Sequence, residues 1–195
     1  MFIEPILGMG YPESDLTFLK KMKPFVLPDD DNNLAFNFDF IGIQCYTREI
    51  VKSSIFTPYI SAALVKASIR NVPYTAMGWE VYPPAIYQIV KKLAVYENLP
   101  VIIITENGAA FEDHIIDEKV MDYERMDYIR ANLKQLLKAK KEGINIAGYF
   151  VWSLTDNFEW AEGYHARFGL IHVDFDTQKR TIKQSGNWYR DFLGL

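Results

Sequence analysis

The chain has 195 residues, of which 49% are apolar and 24% are charged, and its formal net charge is −4. This composition is that of a globular domain with one sizeable core, and it excludes a disordered chain. A net negative charge gives no electrostatic attraction to nucleic acid or to anionic membranes, so neither is expected as a partner.

Cys45 is the single cysteine, which rules out an intrachain disulfide and suits a reducing, cytoplasmic location. The longest apolar runs, such as residues 101–104, are too short to span a bilayer. The three histidines, His114, His165 and His172, lack metal-ligand spacing, and glycine-rich phosphate loops do not occur. We therefore expect no metal and no cofactor.

The first third of the chain predicts few regular elements. A helix is expected near residues 13–23, and the acidic run at residues 29–33 is expected to be a solvated loop. Residues 39–44 (DFIGIQ) read as the first strand of a sheet. Two prolines at 83–84 then open a helix, because proline is tolerated in a first helical turn. Its apolar positions recur at helical spacing: Ile86, Ile89, Val90 and Leu93.

Residues 101–105 predict the second strand, and their β-branched run without alternation indicates burial on both faces, as in a parallel sheet. A long helix follows from about residue 122 to 141, with Gly143 as its C-terminal cap. Residues 146–154 predict the third strand. The apolar stripe of the long helix comprises Met126, Ile129, Leu133, Leu136 and Leu137, and a last helix holds Trp188, Tyr189, Phe192 and Leu193.

Strands that alternate with helices predict an α/β fold with a parallel sheet and helical crossovers. In such folds the functional side chains gather at the carboxyl ends of the strands. Here those ends carry Tyr46, Glu106 and the aromatic and acidic segment 152–160 (WSLTDNFEW). One edge of the sheet is therefore the expected site.

Two interpretations of Glu106 follow from the strand alone. A carboxylate that ends a buried strand is partly desolvated yet reachable, which suits a nucleophile or a general base. Alternatively, the following Asn107-Gly108 pair is a simple tight turn, and Glu106 points into water.

The aromatic and acidic residues nearby also allow two interpretations. Trp152, Asp156, Glu159 and Trp160 suit a sugar pocket, because aromatic rings stack on pyranose faces and carboxylates bind hydroxyl groups. The alternative is a core tryptophan followed by a solvated acidic loop. Tyr46 could bind the carboxylate on the neighbouring strand or be a buried phenol, and Trp79 could cover the pocket or only pack.

Several motifs, in this order along the chain, resemble glycoside hydrolase family 1, the β-glucosidase family. They are residues 39–43 (DFIGI) with 46–47 (YT), 78–83 (GWEVYP), 104–108 (ITENG), 148–160 (GYFVWSLTDNFEW), 163–164 (GY), 167–170 (RFGL), 180–183 (RTIK) and 188–189 (WY). The resemblance covers nearly the whole chain.

The resemblance implies a retaining β-glycosidase acting on terminal β-linked sugars, with a role for each matching residue. Glu106 corresponds to the catalytic nucleophile, and Tyr46 to the phenol that orients it. The remaining matches correspond to substrate-binding positions: Glu159 and Trp160 for the distal hydroxyls, Trp152 with Phe168 for the sugar face, and Trp79 for the aglycone side. Gln44 departs from the family's asparagine, which puts that contact in doubt.

The family's fold is an eight-stranded TIM (β/α)8 barrel, and residues 1–195 resemble the C-terminal segment of that single domain, strands six to eight with their helices. The family's acid/base Asn-Glu-Pro motif does not occur in the sequence. We therefore expect a chain that is inactive alone and that pairs with the missing N-terminal half of the barrel or self-associates through open sheet edges. The alternative is a non-catalytic carbohydrate-binding or assembly fragment.

Overall fold

A computed structural model describes residues 3–14, 17–57 and 60–195. Its centre is a parallel sheet of three strands, β1 (Phe40–Gln44), β4 (Val101–Asn107) and β7 (Ile146–Val151), in the order β1-β4-β7. Three helices connect or follow these strands: α3 (Pro84–Leu93), α4 (Tyr123–Lys141) and α5 (Gln184–Leu193). This confirms the predicted β-α-β-α-β-α order and the parallel sheet.

Short elements complete the described part of the chain. The helices α1 (Ile3–Ile6) and α2 (Asp30–Leu34) precede the sheet, together with a 3₁₀ helix over Thr17–Phe25, and a second 3₁₀ turn lies at Ala67–Ile69. The loops contain three pairs of short antiparallel strands: β2 (Val51–Ser53) with β3 (Ala62–Leu64), β5 (Ile115–Ile116) with β6 (Lys119–Val120), and β8 (Ile171–Val173) with β9 (Arg180–Ile182).

The main core lies between one face of the sheet and helices α3 and α4. It contains the buried residues Ile43, Ile86, Val90, Leu93, Ile102, Ile104, Leu136, Ala139 and Ile146. The amphipathic spacing predicted for α3 and α4 produces this packing, and each fully buried aliphatic side chain contributes about 1.5–3 kcal/mol. A second cluster joins α4 to α5 and contains Ala109, Tyr128, Ile129, Leu133 and Leu170.

The opposite face of the sheet is open in this chain. Burial along β4 alternates between buried residues, Ile102 and Ile104, and half-buried ones, Val101 and Ile103. The prediction that β4 is buried on both faces is therefore wrong here, because the helices cover one face only. Phe150 on β7 is 61% exposed on the uncovered side.

Four local predictions need correction. The helix expected near residues 13–23 is the 3₁₀ helix over Thr17–Phe25, with residues 15–16 outside the described part; Pro24 within it cannot donate a helical hydrogen bond. The acidic run is not a loop, because the Asp30 carboxylate accepts the Leu27 amide at 2.8 Å and closes the turn into α2. Strand β7 ends at Val151 rather than 154. Leu137 is 47% exposed and does not belong to the buried apolar face of α4.

The end of α4 matches its prediction. Gly143 follows the end of α4 with φ +92°, a left-handed conformation that suits glycine at a helix C-terminus. In the described ranges, no helix has both the length and the apolar composition that crossing a membrane requires.

Candidate active site

The position of Glu106 is set by an irregularity in the central strand. Ile43 of β1 pairs with Ile104, but Gln44 pairs with Glu106, so β4 contains one extra residue relative to β1. The pairing of β4 with β7 shifts between Ile104 and Asn107 in the same sense. This is a β-bulge at positions 105–106, and a bulge re-aims the side chains that follow it.

The bulge changes the face on which each later side chain lies. Ile102 and Ile104 are buried against the helices, so strict alternation would bury residue 106 there too. Instead Glu106 is half-buried at the rim, and Asn107 is completely buried. The extra residue therefore frees the carboxylate of Glu106 from the helix layer.

Tyr46 meets Glu106 directly. The phenol of Tyr46, just beyond the end of β1, donates a hydrogen bond of 2.5 Å to Oε2 of Glu106. Burial, this hydrogen bond and the charges of Glu106 and Glu159 raise the pKa of Tyr46 far above its ordinary value. The phenol therefore stays protonated and remains a donor. Of the two interpretations left open for Tyr46, the structure supports contact with the carboxylate.

Aromatic side chains gather beside this pair. The ring of Tyr46 lies 5.4 Å from the ring of Trp79 and 6.3 Å from that of Phe168, and Trp79 lies 6.0 Å from Phe168. Trp152 packs against the same cluster, which is built on Ala110, Ala166 and the buried Phe168. Tyr46, Trp79, Trp152 and Phe168, which the sequence places far apart, thus share one side of the rim.

Gly108 brings the ends of β4 and β7 together. A Cβ atom at this position would lie 1.8 Å from the carbonyl oxygen of Trp152, so no side chain fits there. The Trp152 amide also donates to the Asn107 carbonyl at 2.9 Å. The wall formed by Trp152 is therefore fixed directly to the strand end that carries Glu106.

Glu159 and Trp160 lie on a tight loop beyond β7. The amide and carbonyl of Glu159 are each hydrogen-bonded to Gly163 at 2.7 Å, which presents the half-buried Glu159 side chain on a turn. The carboxylate of Glu159 contributes to the raised pKa of Tyr46. Trp160 is 91% exposed and is not part of the aromatic cluster.

Asp156 does not face the rim, which corrects its grouping with the sugar-binding residues. Its carboxylate accepts hydrogen bonds from Arg167 at 2.9 Å, from Lys183 at 2.8 Å, and from the amides of Gly169 and Val173. Burial alone would raise the pKa of Asp156, but Lys183 and Arg167 together hold it below its ordinary value. Asp156 holds the loop after β7 in place.

Sequence spacing did not reveal the charged cluster around Asp156. Asp113, Asp156 and His172 place possible ligand atoms within 4.8 Å of one another, an arrangement that could hold a metal ion. The ammonium group of Lys183 lies 2.6 Å from Asp113 and 2.8 Å from Asp156. Since this cation already lies between the two carboxylates, the cluster is an internal salt bridge in the structure, and the absence of a metal stays a prediction.

Glu80 is a second buried carboxylate that the sequence analysis did not single out. Its carboxylate accepts hydrogen bonds from Nε and Nη2 of Arg48, each at 2.9 Å, and from Nη2 of Arg70 at 2.9 Å. The bonds from Arg48, together with Arg70, lower the pKa of Glu80 to about 2. Because Glu80 follows Trp79 and Arg48 lies two positions after Tyr46, these pairs fix the two aromatic residues relative to each other.

The missed residues have modest sequence signals. Arg125, which pairs with Asp113 at 2.9 Å, and Tyr128, whose hydroxyl donates to the Tyr46 carbonyl at 2.6 Å, are buried on α4, where a polar residue requires partners in the interior. Asn107 follows the predicted strand directly, and its pairing with Gly108 indicates only a turn. Gln44, the position that departs from the family motif, is exposed in this chain.

Parallel strands joined by crossover helices, with a carboxylate and an aromatic wall at their carboxyl ends, have the arrangement of part of a (β/α)8 barrel enzyme. The family model for glycosyl hydrolase family 1 matches residues 1–194. The chain belongs to this family.

Individual relatives support the same conclusion. The chain is 45% identical to Beta-glucosidase A of Thermotoga maritima over 194 residues, which covers 99% of this chain and 43% of that protein. It is 44% identical to a 1,4-beta-D-glucan glucohydrolase of Thermotoga neapolitana, with the same coverage. The structure of the family 1 β-glucosidase from Thermotoga maritima superposes with a TM-score of 0.88 at 42% identity, over 99% of this chain and 43% of that one. The chain thus spans less than half the length of these relatives.

Proposed function

We propose that this chain supplies the nucleophile side of a retaining β-glycosidase site that acts on terminal β-linked sugars. The observation that carries the proposal is the hydrogen bond from Tyr46 to Glu106 on the bulged strand end, beside the aromatic cluster. The structure of a β-glucosidase from Thermotoga maritima in complex with glucoimidazole supports a sugar-like ligand for this fold.

Each side chain has a role in the proposed reaction. The Tyr46 bond engages Oε2 of Glu106 and holds the carboxylate in one orientation, with Oε1 directed to the anomeric carbon. Attack forms the bond from Glu106 to that carbon while the bond to the leaving group breaks, and water later hydrolyses the glycosyl-enzyme. Trp152 contacts the sugar face with the buried Phe168 packed in the same cluster, Trp79 contacts the aglycone, and Glu159 with Trp160 binds the distal hydroxyl groups.

The second carboxylate comes from outside these residues in our proposal. A retaining glycosidase needs an acid/base carboxylate about 5–5.5 Å from the nucleophile, and the family's Asn-Glu-Pro motif does not occur in the sequence. We therefore propose that this chain is inactive alone. We expect activity when the remaining strands of the barrel cover its open face. A cytoplasmic location is also part of this proposal.

Grooves along both edges of the sheet support such a partner. Beside β7, a cavity of about 580 Å³ is lined mainly by apolar side chains, including Phe150, Leu154, Ile182 and Leu193. Beside β1, another of about 770 Å³ is lined by residues that include Gln44, Tyr46 and Trp79. Outer strands with unpaired backbone groups are sites for strand addition, and the apolar lining beside β7 favours a partner there. Self-association of this chain is the alternative occupant.

Reconstitution tests the proposal. The chain is co-expressed with the part of Thermotoga maritima Beta-glucosidase A that it does not cover, and hydrolysis of an aryl β-glucoside is measured. An activated 2-deoxy-2-fluoro-β-glucoside, whose leaving group needs little acid catalysis, is expected to add one glycosyl unit to Glu106, located by peptide mass analysis. A well-formed complex that neither hydrolyses nor becomes labelled would overturn the proposal.

Sugar binding without turnover would instead favour the second function, a non-catalytic carbohydrate-binding or assembly fragment. The observation behind this alternative is the open sheet face of the described chain. Calorimetric titration of the chain alone and of the complex with glucoimidazole separates the two. Binding by both, with no labelling of Glu106 in either, supports the alternative.

A further inference from the structure

The side chain of Asn107 is the centre of a buried hydrogen-bond network on the helix side of the sheet. It is 0% exposed, although amide side chains are usually found at the surface. Its Nδ2 donates to the Cys45 carbonyl at 2.5 Å and to the Tyr128 hydroxyl at 3.1 Å, and its Oδ1 accepts the Tyr149 hydroxyl at 2.6 Å. One side chain therefore contacts α4, β7 and the residue that follows β1.

Tyr128 extends the network to the residue that binds Glu106. Its hydroxyl accepts from Asn107 and donates to the carbonyl of Tyr46 at 2.6 Å. Burial raises the pKa of the Tyr128 phenol, so it remains a proton donor. The backbone of Tyr46 and the side chain of Asn107 are thus held by the same hydroxyl group.

These contacts lie at the β-bulge of β4. A bulge leaves part of the ladder unpaired, and it persists only where the surroundings hold it. On its two sides, the Cys45 amide donates to the Glu106 carbonyl at 3.0 Å, and the Trp152 amide donates to the Asn107 carbonyl at 2.9 Å. Asn107 can reach its buried partners only when the extra residue turns its side chain toward the helices.

We infer that Asn107, Tyr128 and Tyr149 form a lock that holds the bulge of β4 and thereby aims Glu106 at the rim. They are positioning residues that act through Glu106 and Tyr46. The catalytic importance of the Glu106 orientation rests on the proposed function. The stabilisation of the bulge by these three residues does not. Each side chain of this neutral network has hydrogen-bond partners, and a fully satisfied buried network favours one backbone arrangement over its competitors.

Hydrogen exchange of the chain tests the lock without any activity. Replacing Asn107 removes three buried hydrogen bonds at once and risks unfolding the chain, so the test removes single hydroxyl groups. In Tyr128→Phe, the amides of Cys45 and Trp152 are expected to exchange about tenfold faster than in the parent chain, because a buried hydrogen bond is lost beside them. The Ile102 amide, at the other end of β4, serves as the internal reference.

Tyr189→Phe is the matched control. Tyr189 packs in the same cluster, but its hydroxyl donates only to the Tyr149 carbonyl, at 3.4 Å, and does not contact Asn107. Its variant is expected to leave the Cys45 and Trp152 amides within about twofold of the parent. If Tyr128→Phe and Tyr149→Phe change these amides no more than Tyr189→Phe does, the lock is overturned.

Labelling of the reconstituted barrel tests whether the lock orients Glu106 for reaction. Tyr128→Phe is expected to slow labelling of Glu106 by the activated fluoroglycoside about tenfold, while glucoimidazole affinity changes less than about threefold. Faster exchange with unchanged labelling would overturn the aiming role. If the parent complex is not labelled, the proposed function fails, and the exchange result still decides whether the lock exists.

Discussion

Two groups of carboxylates lie within the same α/β structure and differ in how completely they are bonded. Asp156, 4% exposed, accepts four hydrogen bonds, two of them from the cationic side chains of Arg167 and Lys183. Glu106, half-buried at the rim, accepts one from the neutral phenol of Tyr46 among the residues that the structure describes. A carboxylate whose lone pairs are all engaged can only hold structure, whereas one left open can react.

The same contrast separates Glu80 from Glu159. The carboxylate of Glu80, the residue after Trp79, accepts hydrogen bonds from Arg48 and Arg70. Glu159 lies on a turn that is held by hydrogen bonds of its backbone, so these bonds do not occupy its carboxylate. The saturated carboxylates bind cations of the chain itself. The open ones lie where a hydroxyl-rich ligand can provide the donors.

The largest expected effect comes from removing the reactive carboxylate. Glu106→Gln keeps the shape of the side chain and its acceptor for Tyr46 but removes the attacking oxygen anion. In the reconstituted barrel, aryl β-glucoside hydrolysis is expected to fall by about a thousandfold or more. Glu162→Gln, on the exposed turn, is the control and is expected to retain activity. Equal activities would contradict the assignment of Glu106.

The next effect is on stability. Asp156→Asn leaves the charges of Lys183 and Arg167 without their shared partner, and breaking a buried pair of this kind costs about 3–5 kcal/mol in the free energy of unfolding. Urea denaturation of the chain measures the loss, again against Glu162→Gln, for which a change within about 0.5 kcal/mol is expected. A loss below about 1 kcal/mol in Asp156→Asn would show that the cluster holds the loop weakly.

A smaller, pH-dependent effect is expected at Glu80. Its pKa in the folded chain is about 2, below the ordinary value of 4.5, so its stabilisation is complete above pH 4.5 and is lost as the pH falls toward 2. Glu80→Gln should therefore be about 2 kcal/mol less stable than the parent at pH 7, and the gap should close with acidification. Urea denaturation at several pH values measures it, and a gap independent of pH would contradict the ionised pairing.

Much of the fold follows from local pattern. The β-branched run of residues 101–105, the proline pair before α3 and the stripe of α4 each specify an element by rules that act over a few residues. The uncovered face of the sheet could not be deduced from that run, because a strand with helices on one side has the same composition as one covered on both. The exposure of Leu137 likewise depends on which neighbours are present.

The site shows the same division. The position of Glu106 and Tyr46 at strand ends predicts a shared site, and the structure brings the two side chains together. The sequence could not assign Asp156 to the interior rather than the rim, since its partners Arg167 and Lys183 lie 11 and 27 positions away. The bulge was equally hidden, because a single extra residue leaves no trace in composition and shows only in the pairing of three strands.

The contact of Gly108 with the Trp152 carbonyl also bears on thermal motion. Because the two backbones are in close contact and the Trp152 amide donates to the Asn107 carbonyl, we expect the end of β4 and the start of the loop after β7 to move together. A fluctuation that displaces the carboxylate of Glu106 therefore carries Trp152 along with it. We therefore expect the distance between Glu106 and Trp152 to change little when the sheet fluctuates, although β1 and β7 are the outer strands of the sheet in the described residues.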